Sequence, residues 1–201
     1  MRRRAASGLH AVNVPNGITL ARIALVPAIV LTMLAAGRGG SSLLPAALVV
    51  LAAVSDAVDG YLARRNDIVT DFGKIVDPIA DKALITGALA VLVIQDRIAL
   101  WLAAAIVARE LAVTALRSFA GRRGVVVSAS RLGKNKTTLQ IIAIVALILA
   151  PDPWAWWAQG LAYAALVLTL VSGAEYFMSL RGRLDRAAPA RERESSSSPE
   201  A

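Results

Sequence analysis

Four aspartates within one short stretch have the residue type and spacing to hold metal ions. The stretch reads "DAVDGYLARRNDIVTDFGKIVDPIADK" and contains Asp56, Asp59, Asp77 and Asp81. The first two aspartates are three residues apart and the last two are four apart, so on helices each pair shares a face. If the two faces meet, four carboxylates converge, and without a partner they would repel one another and be costly to desolvate.

Divalent cations would remove that cost. Ligands that are all carboxylate oxygens suit hard ions such as Mg²⁺ or Mn²⁺, and four carboxylates exceed what one Mg²⁺ usually takes from a protein. We therefore predict two ions that share ligands, an arrangement that can stabilise both the incoming and the departing oxygen of a phosphoryl displacement. In the alternative interpretation the carboxylates are solvated and pair with nearby cations. These cations are Arg64, Arg65, Lys74 and Lys82.

Two glycines and an arginine accompany the acidic residues. Gly60 follows Asp59, and Gly73 lies one helical turn before Asp77, where a missing side chain permits close approach of a helix or a substrate. Arg64 lies one turn beyond Gly60 and could bind a phosphate through two parallel hydrogen bonds. The alternatives are packing contacts for the glycines and a membrane-surface anchor for Arg64.

The elements that carry these residues are predicted to be membrane-spanning helices. The chain has 201 residues, of which 57% are hydrophobic, and its mean hydropathy is +0.60. Several apolar runs approach the ~20 residues that a helix needs to cross the hydrocarbon core. The sequence thus predicts an all-α integral membrane protein with six transmembrane helices. The predicted spans are 18–36, 43–63, 76–95, 98–120, 137–151 and 154–179.

Charge and composition restrict the function and the orientation. The net charge is +8, and Lys and Arg concentrate before span one, between spans two and three, between spans four and five, and after span six. The positive-inside rule then predicts that both termini and the aspartates face the cytoplasm, and we expect contact with membrane lipids rather than nucleic acid. With no cysteine and a single histidine, His10, thiolate sites, multi-histidine metal sites and Ser-His-Asp triads are excluded. Residues 1–180 are predicted to form the catalytic domain, and the charged, Ser-rich segment 181–201 a disordered tail without a catalytic role.

The acidic stretch resembles the complete signature of the CDP-alcohol phosphatidyltransferases. The matching residues are Asp56, Asp59, Gly60, Ala63, Arg64, Gly73, Asp77 and Asp81, with no departure at any fixed position. The resemblance implies a membrane enzyme with the CDP-alcohol phosphotransferase fold, usually a homodimer, that moves a phosphatidyl group from CDP-diacylglycerol to an alcohol and releases CMP.

The family also implies roles for individual residues. Asp56, Asp59 and Asp77 would hold one Mg²⁺ or Mn²⁺ ion, and Asp56, Asp77 and Asp81 the other. Asp81 would also be the general base on the acceptor hydroxyl. The CDP-diacylglycerol site would be lined by Asp59, Gly60, Ala63, Arg64 and Gly73, together with Asn16 and Thr19 from "NVPNGITLAR", which resembles the family's N-terminal segment.

Basic residues elsewhere indicate an anionic acceptor. Arg109 and Glu110 lie near the middle of an apolar span, where a charged side chain normally faces a cavity or a partner. Arg117 lies two turns beyond Arg109, and Lys134 and Lys136 precede span five. Four cations that converge near the carboxylates suggest an acceptor with its own phosphate. A structural pair of Arg109 with Glu110, and positive-inside roles for the two lysines, are the alternatives.

Within the family, the segments "ARELAVTALR", "SRLGKNKTTLQ" and "DPIADK" are similar to the phosphatidylglycerophosphate synthase branch, whose acceptor is sn-glycerol 3-phosphate. This resemblance implies a bacterial inner-membrane enzyme of phospholipid biosynthesis. Two alternatives stay open. One is a sister transferase that uses inositol phosphate or phosphatidylglycerol, and the other is a cation-coupled transporter, for which intramembrane acids are also expected.

Overall fold

The computed structural model describes the backbone of residues 14–38, 42–66, 71–122 and 131–196, and the side chains of 24–38, 42–58, 82–122 and 135–183. Throughout the described ranges the regular structure is helical, as the sequence predicts. The helices are α1 (Val14–Ala36), α2 (Leu43–Asn66), α3 (Asp71–Ile94), α4 (Leu100–Arg122), α5 (Arg131–Leu149) and α6 (Trp156–Ser196).

Three short connections fall between the predicted spans, at segments with turn-forming residues. The first begins at Gly37, which has φ of +68° and whose N–H donates to the Leu34 carbonyl at 3.2 Å, an ending that favours glycine. The second separates α3 from α4, and the third separates α5 from α6 around "PDP". Turn-forming residues thus locate these helix ends correctly.

Three helices extend beyond the predicted spans by five residues or more. α3 begins at Asp71 and α5 at Arg131, several residues before the apolar runs. α6 continues as a helix to Ser196, well beyond the last predicted span, and the division of the chain at residue 180 into a catalytic domain and a tail stays a prediction. The reason for the longer helices is that hydropathy marks only the apolar part of a helix, whereas backbone hydrogen bonding and the helix propensity of Ala, Arg and Glu continue it. Residues 197–201 lie outside the described residues.

The length and hydropathy of the described helices do not confirm the six predicted membrane spans. In the described part of the chain, the segment Trp156–Arg183 is long and apolar enough to cross a membrane, and four further apolar segments have 10–17 residues. Those segments are Ala24–Ala36, Leu43–Val58, Lys82–Ile94 and Asn135–Leu149. Six transmembrane helices therefore stay a prediction.

One hydrophobic core joins all six helices. α1 packs on α2 and α3, α6 packs on α4 and α5, and α5 also contacts α2 and α3. The buried side chains at its centre include Ile29, Val49, Leu92, Leu102 and Leu147. Other large apolar side chains face outward, among them Leu43 at 79% exposure and Trp156 at 85%. An apolar outer surface of this kind usually contacts lipid or another protein.

Arg97 fixes one end of the helix bundle. Its buried guanidinium donates from Nη1 to the carbonyls of Leu147 at 2.9 Å and Ala150 at 2.8 Å, and from Nη2 to the Arg38 carbonyl at 3.5 Å. Burial lowers the pKa of Arg97 from its ordinary value, but a guanidinium stays charged in proteins. Because these contacts hold the ends of α1, α3 and α5 together, the start of α3 and the end of α2 lie at the opposite end of the bundle.

Candidate functional site

The acidic stretch lies on two consecutive helices. Asp56 and Asp59 lie on α2, and Asp77 and Asp81 lie on α3, so the spacing of three and four residues is helical in both cases. Each pair consequently shares a helix face. The short connection between α2 and α3 places both pairs at the end of the bundle opposite Arg97. The helical spacing within each pair is thus observed, whereas the approach of the two pairs to each other stays a prediction.

The convergence of the four carboxylates stays a prediction. Asp56 is exposed, and the side chains of Asp59, Asp77 and Asp81 lie outside the described residues. Among the described side chains, no group of three or more acidic or histidine residues is positioned to hold a metal ion. The donor set itself, carboxylate oxygens at helical spacing, fits hard divalent cations.

The residues predicted to bind the nucleotide lie on α1, α2 and α3. Their backbone positions are Asn16 and Thr19 near the start of α1, Gly60, Ala63 and Arg64 near the end of α2, and Gly73 near the start of α3. α1 contacts both α2 and α3. Their side chains lie outside the described residues, so their roles stay predictions.

A compact charged cluster surrounds Glu110 on α4. Its Oε1 accepts a hydrogen bond from Lys136 Nζ of α5 and one from Arg109 Nη1 at 3.0 Å. Its Oε2 lies 3.7 Å from Lys82 Nζ of α3. The side chains of Glu110, Lys136 and Arg109 are only 13%, 11% and 10% exposed. We call Lys82, Arg109, Glu110 and Lys136 the Glu110 cluster.

The Glu110 cluster has unbalanced charge. Its three cations and one carboxylate sum to a formal charge of +2, and the side chains of Arg109, Glu110 and Lys136 are largely removed from solvent. Buried charge is costly unless it is compensated, so the cluster is suited to an anionic ligand. Lys82 directly follows Asp81 on α3, and it therefore connects the cluster to the end of the acidic stretch.

α6 supplies polar partners to this cluster. Arg109 Nη2 donates to Ser172 Oγ at 2.7 Å, and Gln140 Nε2 donates to Thr169 Oγ1 at 2.8 Å. Gln140 Nε2 also lies 3.4 Å from Glu110 Oε1. Polar side chains from α3, α4, α5 and α6 thus meet around one carboxylate.

Two of the four predicted phosphate-binding cations meet in the structure. Arg109 and Lys136 both contact Glu110. Adjacent residues do not face each other on a helix, but Arg109 and Glu110 still pair because both side chains are long. Arg117 is exposed and stacks over the ring of Tyr176, 5.5 Å from its centroid, outside the Glu110 cluster. The side chain of Lys134 lies outside the described residues.

Sequence reasoning assigned no site role to Lys82, Glu110, Ser172 or Thr169. For Lys82 the sequence contained a signal of a site role, since it is the last residue of "DPIADK". Glu110 had one too, because an acid deep in an apolar span needs a partner. For Ser172 and Thr169 no comparable signal exists, because hydroxyl side chains are common in helices that pack together.

Comparison with known proteins relates most of the helical region to one family. The family model of CDP-alcohol phosphatidyltransferase matches residues 12–171. Three relatives carry the name CDP-diacylglycerol–glycerol-3-phosphate 3-phosphatidyltransferase. The protein from Bacillus subtilis (strain 168) is 44% identical over 180 residues, covering 82% of this chain and 93% of the relative. That from Rickettsia felis is 37% identical over 179 residues, covering 84% and 96%, and that from Salmonella choleraesuis is 36% identical over 178 residues, covering 86% and 97%.

Proposed function

The chain belongs to the CDP-alcohol phosphatidyltransferase family, and we propose that it transfers the phosphatidyl group of CDP-diacylglycerol to sn-glycerol 3-phosphate. The products are phosphatidylglycerophosphate and CMP. The names of the relatives support this choice of substrates. The structural observation that carries it is the Glu110 cluster, a net positive site that Lys82 connects to the acidic stretch.

In the proposed reaction, the acidic stretch carries out the chemistry and the basic residues bind the acceptor. The acceptor hydroxyl attacks the phosphorus that carries diacylglycerol, a new P–O bond forms, and the P–O bond to CMP breaks. Asp81 is the proposed general base and takes the hydroxyl proton. Asp56, Asp59, Asp77 and Asp81 would hold two divalent cations, Mg²⁺ or Mn²⁺, which when bound neutralise charge that develops on the pyrophosphate oxygens.

CDP-diacylglycerol binding is assigned to the end of the bundle that carries the acidic stretch. Asp59, Gly60, Ala63, Arg64 and Gly73 belong to the family signature at this end. Asn16 and Thr19 join them from α1, which contacts α2 and α3. Small residues here would let the nucleotide approach the helix backbones, and Arg64 would pair with a phosphate.

Acceptor binding is assigned to the basic residues. Arg109 and Lys136 lie in the Glu110 cluster, and Arg117 and Lys134 lie on the same two helices. The phosphate of glycerol 3-phosphate carries close to two negative charges at neutral pH, as phosphate monoesters do, and would balance the +2 of the cluster. A neutral alcohol would leave this charge uncompensated, which favours a phosphorylated acceptor.

The proposed setting is a bacterial inner membrane. Six helices would cross it, with both termini and the active site in the cytoplasm, and the chain would act as a homodimer. Supporting this proposal are the apolar outer surface, the long apolar segment Trp156–Arg183 and the distribution of Lys and Arg along the chain. The segment 181–201 is assigned no catalytic role.

The test is CMP release by the detergent-purified protein with CDP-diacylglycerol and Mg²⁺ or Mn²⁺. Glycerol 3-phosphate, inositol phosphate and phosphatidylglycerol are offered separately, with a chelator control. We expect chelator-sensitive release with glycerol 3-phosphate alone. Release only with another acceptor would keep the transferase and replace the acceptor. No release with any of them would contradict the proposal and favour a transport function.

A further inference from the structure

The guanidinium of Arg109 lies directly against α6 at a glycine. A Cβ atom added to Gly173 would lie 2.7 Å from Arg109 Nε, 3.4 Å from its Cγ and 3.5 Å from its Nη2. The first of these distances is shorter than real Cβ contacts. The observed position of Arg109 therefore depends on the absence of a side chain at residue 173.

Ser172 determines which way the same guanidinium points. Its hydroxyl donates to the Thr169 carbonyl at 3.1 Å, which leaves the oxygen lone pairs to accept from Arg109 Nη2 at 2.7 Å. Glu110 Oε1 accepts from Nη1 on the other side. Two fixed acceptors and the adjacent helix surface thus restrict Arg109 to one orientation.

The cluster also leaves buried polar atoms without partners. Arg109 Nε and Gln140 Oε1 are buried and make no hydrogen bond in the described structure. A buried donor without an acceptor is unfavourable, and such a group in a native structure needs an explanation. Arg109 Nε is the atom closest to the position of a Cβ on Gly173, so the guanidinium is held against α6 although this donor has no acceptor there.

We propose that Ser172 and Gly173 of α6 are positioning residues for the acceptor phosphate. Gly173 makes room for the Arg109 guanidinium, and Ser172 fixes its direction toward the phosphate site of the Glu110 cluster. This inference rests on the proposed function, since it takes a phosphate-bearing acceptor as the ligand. It assigns α6 a part in acceptor selection that neither the acidic stretch nor the basic residues supply.

The central experiment compares Gly173→Ala with Gly160→Ala. Both glycines lie in α6, but a Cβ at Gly160 would meet nothing within 4 Å. Both substitutions gain the same helix propensity, so a difference between them reports the crowding of Arg109. We expect Gly173→Ala to raise the KM for glycerol 3-phosphate about tenfold or more, as loss of a charge-assisted hydrogen bond would. The KM for CDP-diacylglycerol should stay unchanged, and Gly160→Ala should match the wild type in both.

Ser172→Ala is the second variant, because it loosens Arg109 without adding volume and is expected to fold. It should raise the KM for glycerol 3-phosphate in the same selective way. If Gly173→Ala and Ser172→Ala leave the KM values unchanged, or raise both substrates' KM equally, the positioning role is wrong.

A binding measurement separates this inference from the proposed function. Inorganic phosphate should raise the Tm of the wild type and of Gly160→Ala, and the increase should be lost in Gly173→Ala. If the wild type releases CMP only with another acceptor, the proposed function fails while the loss of phosphate protection still supports the role of α6. Equal protection of all variants, or none in the wild type, would overturn that role whatever the acceptor.

Discussion

At the scale of single residues, Glu110 is the shared partner of several charged side chains. One carboxylate contacts three cations from three helices, and Gln140 lies at its edge. Breaking a buried ion pair by removing one partner leaves charge uncompensated, at a cost of about 3 to 5 kcal/mol, whereas an exposed pair contributes about 1 kcal/mol or less. Glu110 is consequently important for the stability of the bundle as well as for the acceptor site.

We therefore predict that Glu110→Gln lowers the stability of the purified protein by about 3 kcal/mol, because the amide cannot balance the three cations. Thermal or denaturant unfolding in detergent measures it. The matched control is Asp96→Asn, which removes the carboxylate of the exposed Arg38–Asp96 pair and should cost less than about 1 kcal/mol. Similar losses in both variants would contradict the central place of Glu110.

The acidic stretch gives a second prediction at this scale. Asp56→Asn and Asp77→Asn should each lower the rate of CMP release by more than about a hundredfold. Mutation of a residue that only hydrogen-bonds to a metal ligand already lowers activity by up to about a hundredfold, and loss of a ligand itself should cost more. Unfolding temperature without metal should change little. Activity close to wild type in either variant would contradict the assignment of that residue as a ligand shared by two ions.

At the scale of elements, the ends of the helices are held by different interactions. At one end Arg97 contacts the last carbonyls of α5, and Gln159 Nε2 of α6 donates to the Arg97 carbonyl at 2.8 Å. A cation at helix C-terminal carbonyls is favourable, and here it is also buried. At the other end lie the starts of α1 and α3 and the end of α2, which carry the candidate catalytic residues.

The two ends should therefore respond differently to mutation. Arg97→Met removes the donors to Leu147 and Ala150, and we expect a loss of about 3 kcal/mol in stability with the KM of both substrates within about twofold of wild type. Unfolding and steady-state kinetics at a permissive temperature measure the two effects. A large rise in either KM without loss of stability would show that Arg97 acts on the site.

At the scale of the whole molecule, the distribution of Lys and Arg along the chain predicts one orientation of the helix bundle in the membrane. Short connections place Asp152 at the Arg97 end of the bundle and Arg122 at the end that carries the acidic stretch. Both side chains are exposed. If the positive-inside rule holds, the two ends lie on opposite sides of the membrane.

The absence of cysteine makes this orientation directly measurable. Asp152→Cys should react with a membrane-impermeant maleimide in intact spheroplasts, and Arg122→Cys only after the membrane is opened. The wild-type chain is the unlabelled control. The reverse pattern would place the active site outside the cytoplasm, and labelling of both in intact spheroplasts would contradict a membrane-spanning bundle.

The sequence alone determined the features that depend on local spacing. Helical content, the three short turns and the helical phase of Asp56, Asp59, Asp77 and Asp81 follow from composition and from residues three or four positions apart. Hydropathy located the apolar parts of the helices but not their ends. The reason is that polar residues with good helix propensity can continue a helix beyond its apolar part. The family signature was also readable, since all its residues lie within one stretch of α2 and α3.

Only the tertiary structure decided which distant residues meet. Lys136 contacts Glu110 across 26 positions, and Arg109 contacts Ser172 across 63. No local pattern encodes such pairs, because they depend on how α4, α5 and α6 pack. The sequence likewise does not show why residue 173 is a glycine, because the reason is the Arg109 side chain that packs beside it. The acidic stretch was therefore evident from the sequence, whereas the Glu110 cluster and its support by α6 required the packed helices.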